Sequence, residues 1–195
     1  MQYPLQLSFK LLALAPQIYV RDASGQVRMY VKQKLMKLKE QVTVFADESQ
    51  STPLYHIKAN KVIDWSAQYN FSTPDGTQIG AVRRKGMRSL FRAHYEIVGA
   101  SDELLFTLRE ENPLAKVGDA IFGSIPVLGM LAGYVFHPKY LVARPDGTPV
   151  VRSSKQPALW EGKYSVDRLA DLTPEEEGLS MLSILMLLLL ERQRG

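Results

Sequence analysis

Short segments in which apolar and polar residues alternate recur along most of the chain. Residues 5–11, for example, place leucine or phenylalanine at every second position, with polar residues between them. A period of two is typical of a β-strand that buries one face. Similar segments flank five turns, at residues 22–25, 47–52, 74–76, 99–103 and 145–147. The pattern therefore predicts five β-hairpins.

Two of these turns contain the tripeptide Pro-Asp-Gly, at residues 74–76 and 145–147. Proline presets φ and glycine accepts a positive φ, so the tripeptide favours a tight turn. Alternating segments at residues 5–11 and 159–166 add to the five hairpins and bring the predicted number of strands to about twelve. So many antiparallel strands must close into a barrel or divide into a sandwich, because open edges invite aggregation.

The C-terminal segment is apolar on every side. Residues 179–190 are interrupted only by Ser180 and Ser183. Thr173 and Glu176 have the spacing of a capping box, and Pro174 suits the first helical position, so we expect a helix over residues 174–193. Its run of 12 residues is shorter than the roughly 20 that span a bilayer. This length favours a core helix over a membrane anchor.

Together, the strands and the helix predict a mainly β fold with an α component. We expect an antiparallel closed barrel of about twelve strands around the hydrophobic C-terminal helix, because a barrel hides every face of such a helix. The length of 195 residues fits a single domain over residues 1–195.

Residues 112–139 form a predicted helical insertion between the fourth and fifth hairpins. Its segment 120–136 has no charged residue over 17 positions, and Pro126 divides the segment into pieces too short to cross a bilayer. One interpretation is a surface that contacts a membrane or a protein partner through Phe122, Leu128 and Leu131. The other is a pair of short helices that cap the barrel.

The charge of the chain, +4 overall, is unevenly distributed: the net charge is +7 over residues 1–100 and −3 over residues 101–195. Basic residues follow the second strand of each hairpin. In an antiparallel barrel, the C-terminal ends of these second strands all lie at one rim. Such a rim could bind an anionic lipid head group. The alternative is that these charges protect strand ends and keep the protein dispersed. The candidate ligands of the head group are Lys58, Lys61, Arg83, Arg84, Lys85 and Arg88.

The sequence contains no constellation that predicts catalysis, a metal or a cofactor. The absence of cysteine excludes disulfides and thiolate ligands, and it fits a reducing compartment. His56, His94 and His137 lack the spacing of metal ligands, and no nucleotide-binding or hydrolase motif occurs. No nucleic-acid-binding motif is recognisable either, which disfavours DNA or RNA as a partner.

Several segments resemble the tubby C-terminal-like superfamily, which includes the tubby domain, phospholipid scramblases and LURP-one-related proteins. The resemblance rests on residues 9–10, 18–25, 34–40, 64–69, 80–85 and 95–97, together with the tail helix. It is greatest to the bacterial-type LURP-one-related branch, and it implies the same helix-threaded barrel. Scramblase-like proteins also carry a proline-rich N-terminal region, a cysteine cluster and an acidic calcium loop, which this chain lacks.

These observations predict a non-enzymatic binding or scaffold protein, cytoplasmic and peripheral at membranes. The resemblance to tubby implies phosphoinositide or another anionic phospholipid as the ligand at the basic rim, and a protein partner remains open. The alternative function is phospholipid scrambling or lipid transport at a membrane through residues 120–136.

Overall fold

The computed structural model describes residues 1–10, 17–32, 41–60, 68–84, 94–111, 138–157 and 161–194. In these residues the chain forms a closed antiparallel barrel of twelve strands and one C-terminal helix, which confirms the predicted fold class. The strands are β1 (Leu5–Lys10), β2 (Gln17–Arg21), β3 (Val27–Lys32), β4 (Val42–Phe45), β5 (Pro53–Ala59), β6 (Gln68–Ser72), β7 (Gln78–Arg84), β8 (His94–Gly99), β9 (Leu104–Glu110), β10 (Lys139–Ala143), β11 (Pro149–Gln156) and β12 (Glu161–Arg168). The helix α1 spans Pro174–Arg194.

Each strand pairs with its neighbours in sequence, and β12 returns to pair with β1. The closing pair is antiparallel over six positions, from Leu5 opposite Val166 to Lys10 opposite Glu161. All five predicted hairpins are present, together with the two additional predicted strands. Closure leaves no open edge, which removes the aggregation hazard of a long antiparallel sheet.

The two Pro-Asp-Gly turns have the predicted backbone. Gly76 and Gly147 have φ values of +92° and +91°, a region that costs glycine little. In the first turn, the Asp75 carboxylate accepts hydrogen bonds from the Thr73 hydroxyl and from the Thr77 amide. In the second, the Asp146 carboxylate accepts the Thr148 amide at 2.8 Å. The turn residues therefore stabilise their own loops through contacts within two residues of the aspartate.

The alternating strand pattern places one apolar face inside the barrel. Along β1, Leu5, Leu7 and Phe9 are buried while Gln6 is exposed. Helix α1 fills the interior that these faces enclose: every residue from position 178 to position 189 is buried, so no side of this stretch meets solvent. At Gly80, a Cβ would collide with the Val98 carbonyl oxygen on β8 and would lie 2.8 Å from the Leu179 side chain, so glycine at this position lets β7 lie close to both β8 and the helix.

The predicted capping box is present at the start of α1. The Glu176 amide donates to the Thr173 hydroxyl at 3.2 Å, and the Thr173 amide donates to the Glu176 carboxylate at 2.9 Å. The same carboxylate accepts the Arg144 guanidinium at 2.7 Å. Because Arg144 belongs to the turn between β10 and β11, this ion pair connects the first turn of α1 to the barrel. The pKa of Glu176 is lowered, mainly by the hydrogen bond from Arg144.

Part of the outer wall is also buried. Tyr19 and Tyr30 are opposite each other on β2 and β3, and their ring centroids are 5.0 Å apart. Both are only 2–3% exposed although they face away from the helix. The predicted helical insertion at residues 112–139 lies outside the described residues except for its last two positions, so its structure stays a prediction.

Candidate functional site

The two ends of the barrel differ in how they connect the strands. Since consecutive strands are antiparallel, the five hairpin turns all lie at one end, which we call the turn end. They are residues 22–26, 46–52, 73–77, 100–103 and 144–148. The other strand pairs are joined at the opposite end, the connection end. The segments that join consecutive strands at this end are residues 11–16, 33–41, 60–67, 85–93, 111–138 and 157–160. Strand β12 finishes at the turn end, so α1 enters the barrel there.

Exposed or half-exposed basic residues mark the connection end on six strands. Each lies within three positions of the strand terminus at that end. Four of the six strands, β9 to β12, are consecutive in the barrel, and β3 and β5 are the other two. We call this set the basic ring: Lys32, Lys58, Arg109, Lys139, Lys155 and Lys163. Arg83 also lies near this end, on β7, but it is bound to Glu96 and Asp102. Two acids at this end are already engaged or enclosed. Glu110 is buried, and Glu111 is paired with Arg152 at 2.8 Å.

The structure separates two of the predicted head-group ligands. Arg83 faces the outer wall, where it donates to Glu96 at 2.9 Å and to Asp102 at 3.1 Å. Its pKa is raised, mainly by the hydrogen bond to Glu96. Arg84 is only 8% exposed, because adjacent strand residues face opposite sides of the sheet. These two neighbours in sequence therefore do not present one joint surface.

Lys58 is exposed and belongs to the basic ring. Lys61, Lys85 and Arg88 lie outside the described residues, as do the proposed contact residues Phe122, Leu128 and Leu131. The head-group site as a set of six residues thus stays a prediction. Arg109 and Lys155 lie at the ends of the second strands of the fourth and fifth hairpins, as the sequence pattern indicates, although they were not among the six candidate ligands. Sequence reasoning missed Lys139 and Lys163, because they lie at the start of β10 and β12 and the pattern considered only the ends of second strands.

The turn end is acidic. Four of its five hairpin turns place an aspartate where the side chain holds the turn, at Asp22, Asp47, Asp75 and Asp146, and the pKa of each is lowered by hydrogen bonds that its carboxylate accepts. Further acids add to this end. They are Glu48, Asp102, Glu103, Asp171, Glu175, Glu176 and Glu177. Arg21, Arg28, Arg144 and Arg168 lie at the same end, but the acids outnumber them. The barrel is consequently polarised, with net negative charge at the turn end and positive charge at the connection end.

A cavity of about 540 Å³ opens at the turn end, between the start of α1 and the ends of β5, β7 and β9. Its apolar wall is formed by Ile79, Leu105 and Leu179, and its carboxylates come from Glu103 and Glu175. The volume is within the range of sites that bind small molecules.

A second depression, of about 640 Å³, lies on the outer wall over β1 and β12. Its lining is mainly polar and includes Gln6, Ser8 and Ser165, with Arg21 and Lys163 as cations. Arg21 is engaged locally, since its guanidinium lies 5.1 Å from the centre of the Tyr19 ring and donates to the Gly25 carbonyl. The depression is therefore a polar, weakly cationic part of the wall.

A sequence model of the family described as LURP-one-related matches residues 27–167. The chain belongs to the LURP-one-related family. The match runs from β3 into β12, so β1, β2 and α1 of this LURP-one-related protein lie outside it. The predicted resemblance to LURP-one-related proteins is confirmed as membership of that family.

The LURP-one-related chain is also similar to an Arabidopsis thaliana protein whose X-ray structure is known. The two share 11% sequence identity and a TM-score of 0.48, and the alignment covers 94% of this chain and 90% of that one. A comparison with curated proteins finds no match.

The described part of this LURP-one-related protein has neither a group of metal ligands nor a membrane-spanning helix. No three histidine, aspartate or glutamate side chains there converge as a group that could hold a metal ion. Within the same ranges, no helix has the combined length and hydropathy of a bilayer-crossing segment.

Proposed function

We propose that this LURP-one-related protein is a non-catalytic binding or scaffold protein that docks on anionic phospholipid surfaces with its connection end. The observation that carries the proposal is the segregation of charge between the two ends of the barrel. A basic ring facing the membrane and acidic turns facing away would orient the molecule in the field of an anionic leaflet. The proposal also includes a cytoplasmic location, a preference for phosphoinositides, and membership of the bacterial-type branch of the LURP-one-related family.

The filled interior supports binding at an end over binding inside the barrel. Side chains of α1 occupy the space that a central ligand would need, with positions 178–189 buried on all sides. Scrambling or lipid transport, the alternative function, depends on residues 120–136. These lie outside the described residues, and no described contact favours it.

Vesicle flotation tests the proposal. We expect the protein to float with phosphatidylcholine vesicles that contain phosphatidylserine or a phosphoinositide, and to remain unbound with phosphatidylcholine alone. Binding should weaken as salt increases, because surface charges are screened within about 10 Å at 0.1 M. A phosphoinositide that binds no better than phosphatidylserine at equal vesicle charge would limit the proposal to general anionic attraction.

The variant Lys32→Gln with Lys58→Gln should lower the partition coefficient about thirtyfold, since each basic residue near an anionic surface contributes about 1 kcal/mol. The matched control is Arg21→Gln with Arg168→Gln, which removes the same charge from strand ends at the turn end. Equal losses for the two variants would contradict an oriented contact. Absence of binding to every vesicle would reject the proposal.

A further inference from the structure

Two glycines, Gly99 and Gly178, are part of the lining of the cavity at the turn end. Gly178 lies in the second turn of α1, although glycine disfavours a helix interior. A Cβ at this position would have the Tyr55 hydroxyl at 3.6 Å as its nearest neighbour, which is an ordinary contact. Packing therefore does not require glycine here, and the missing side chain leaves the cavity floor open.

Gly99 contributes in a different way. A Cβ at Gly99 would collide with the Glu103 carboxylate, so glycine allows this acid to fold back over the turn between β8 and β9. The Glu103 carboxylate accepts the Ser101 amide at 3.0 Å and lies in the cavity wall. The turn thus presents a negative group beside the apolar surface of Ile79 and Leu105.

Glu175 is distinct among the three acids in the first turn of α1. Glu176 is bound to Arg144 at 2.7 Å, and Glu177 accepts the Met1 amino group at 3.2 Å. Glu175 makes no hydrogen bond or ion pair with any described residue, and it lines the cavity. The half positive charge of a helix N-terminus is already matched by the other two carboxylates. Glu175 therefore adds negative charge that no described group offsets.

The lining as a whole is apolar with negative polar groups. Glu103 and Glu175 are its acids, and it contains no lysine, arginine or histidine. The Tyr55 hydroxyl and the Gln78 amide add uncharged hydrogen-bonding groups at the same cavity. An ammonium group on an aliphatic stem matches both properties, because the stem covers the apolar wall while the carboxylates accept the ammonium protons.

We propose that this cavity, lined by Glu103, Glu175, Tyr55, Ile79, Leu105 and Gly178, is a binding site for a small aliphatic amine. The site lies at the opposite end from the basic ring, so it stays open to solvent while the connection end is docked. The proposal of an amine site does not depend on lipid binding, and a separate measurement tests it.

Three probes of equal length test the class of ligand: hexylamine, hexanol and hexanoate. They are titrated into the full-length protein labelled with nitrogen-15, and the amide signals of Gly178 and Ala100 are followed. We expect saturable shifts of both signals, with hexylamine bound about three- to tenfold more tightly than hexanol and hexanoate bound least, as expected for partly exposed charge pairs. Equal affinity for hexylamine and hexanol, tighter binding of hexanoate, or no saturable shift would overturn the proposal.

Variants locate the contact. Glu175→Gln and Glu103→Gln should each weaken hexylamine binding about two- to threefold and leave hexanol binding unchanged. The control Glu48→Gln removes an acid from the same end outside the cavity and should have no effect. Gly178→Ala should weaken hexylamine and hexanol alike, with the melting temperature maintained or raised. Unchanged binding in Gly178→Ala and Glu175→Gln would place the amine elsewhere and overturn the proposal.

A further arm identifies the source of the amine. Nα-acetyl-lysine methylamide presents the same ammonium and stem on a peptide backbone. If it binds less tightly than hexylamine, the ligand is a free amine. If it binds more tightly, the site as proposed for a free amine is overturned, and the lysine of a protein partner takes its place.

Discussion

At the scale of single residues, Asp22 organises the first hairpin turn. One carboxylate oxygen accepts the Ser24 hydroxyl at 2.5 Å and the Ser24 and Gln26 amides at 3.0 and 3.1 Å. The other accepts the Arg28 guanidinium at 2.7 Å. These bonds favour the ionised carboxylate and lower the pKa of Asp22 from 3.8 to about 2, with the Ser24 hydroxyl as the largest cause.

The lowered pKa of Asp22 predicts a pH dependence of stability. Because the folded pKa is below the unfolded one, the ionised carboxylate stabilises the fold fully above pH 3.8, and this contribution is lost as the pH falls towards 2. We expect Asp22→Asn to be less stable than wild type by a constant amount between pH 7 and about pH 4. The difference should shrink between pH 4 and pH 2. Urea unfolding at a series of pH values measures it, and a difference that does not change with pH would contradict the assignment.

At the scale of elements, the helix is the part of the chain whose burial is most complete. Leu185 and the residues around it are 0–3% exposed, and the serines within the helix are buried too. The Ser180 and Ser183 hydroxyls have no hydrogen-bond partner among the described residues. Burying an unsatisfied hydroxyl is unfavourable, whereas burying leucine is the main source of stability. Two substitutions in the same helix should therefore act in opposite directions.

Leu185→Asp should unfold the protein. The loss of a buried leucine costs about 2–5 kcal/mol and an unpaired buried charge costs several more, which approaches the about 5–15 kcal/mol that stabilise a whole domain. Ser183→Ala is the matched control, and we expect it to be neutral or stabilising by up to about 1 kcal/mol. Circular dichroism during thermal unfolding compares them. A folded Leu185→Asp variant would mean that the helix is not enclosed.

At the scale of the whole molecule, the barrel and the helix depend on each other. The strands supply a closed wall whose inner face is apolar, and the helix supplies the side chains that fill it. The ion pair of Arg144 with Glu176 and the close approach of Gly80 to Leu179 fix where the helix enters. Neither element buries its apolar surface without the other.

This dependence predicts that a chain ending at Leu172 does not fold. Removing α1 would leave a void much larger than that of a single Leu→Ala change, which already costs about 2.7–5.0 kcal/mol. We expect the shortened chain to lack a cooperative thermal transition and to expose apolar surface to a dye such as ANS. The full-length protein is the reference. A cooperative transition in the shortened chain would show that the barrel wall is stable when empty.

The polarised charge of the molecule also arises at this scale. Each aspartate in a hairpin turn has a local role, because its side chain stabilises that turn, and each residue of the basic ring lies near one end of a strand. Only the antiparallel path of the chain collects the former at one end and the latter at the other. A membrane contact and an amine site would thus occupy opposite ends.

Local patterns in the sequence determined the elements of this protein. Alternation predicted the strands, Pro-Asp-Gly predicted two turns, and the capping box at Thr173 predicted the helix start, because each depends on neighbours within a few residues. Because the helix is apolar on every side, the sequence also predicted that the barrel encloses it. Tertiary structure alone decided how side chains share a surface: it separated Arg83 from Arg84, joined Arg144 to Glu176, and built a cavity from Tyr55, Glu103 and Gly178. Those relations depend on strand register and helix placement, which no local pattern encodes.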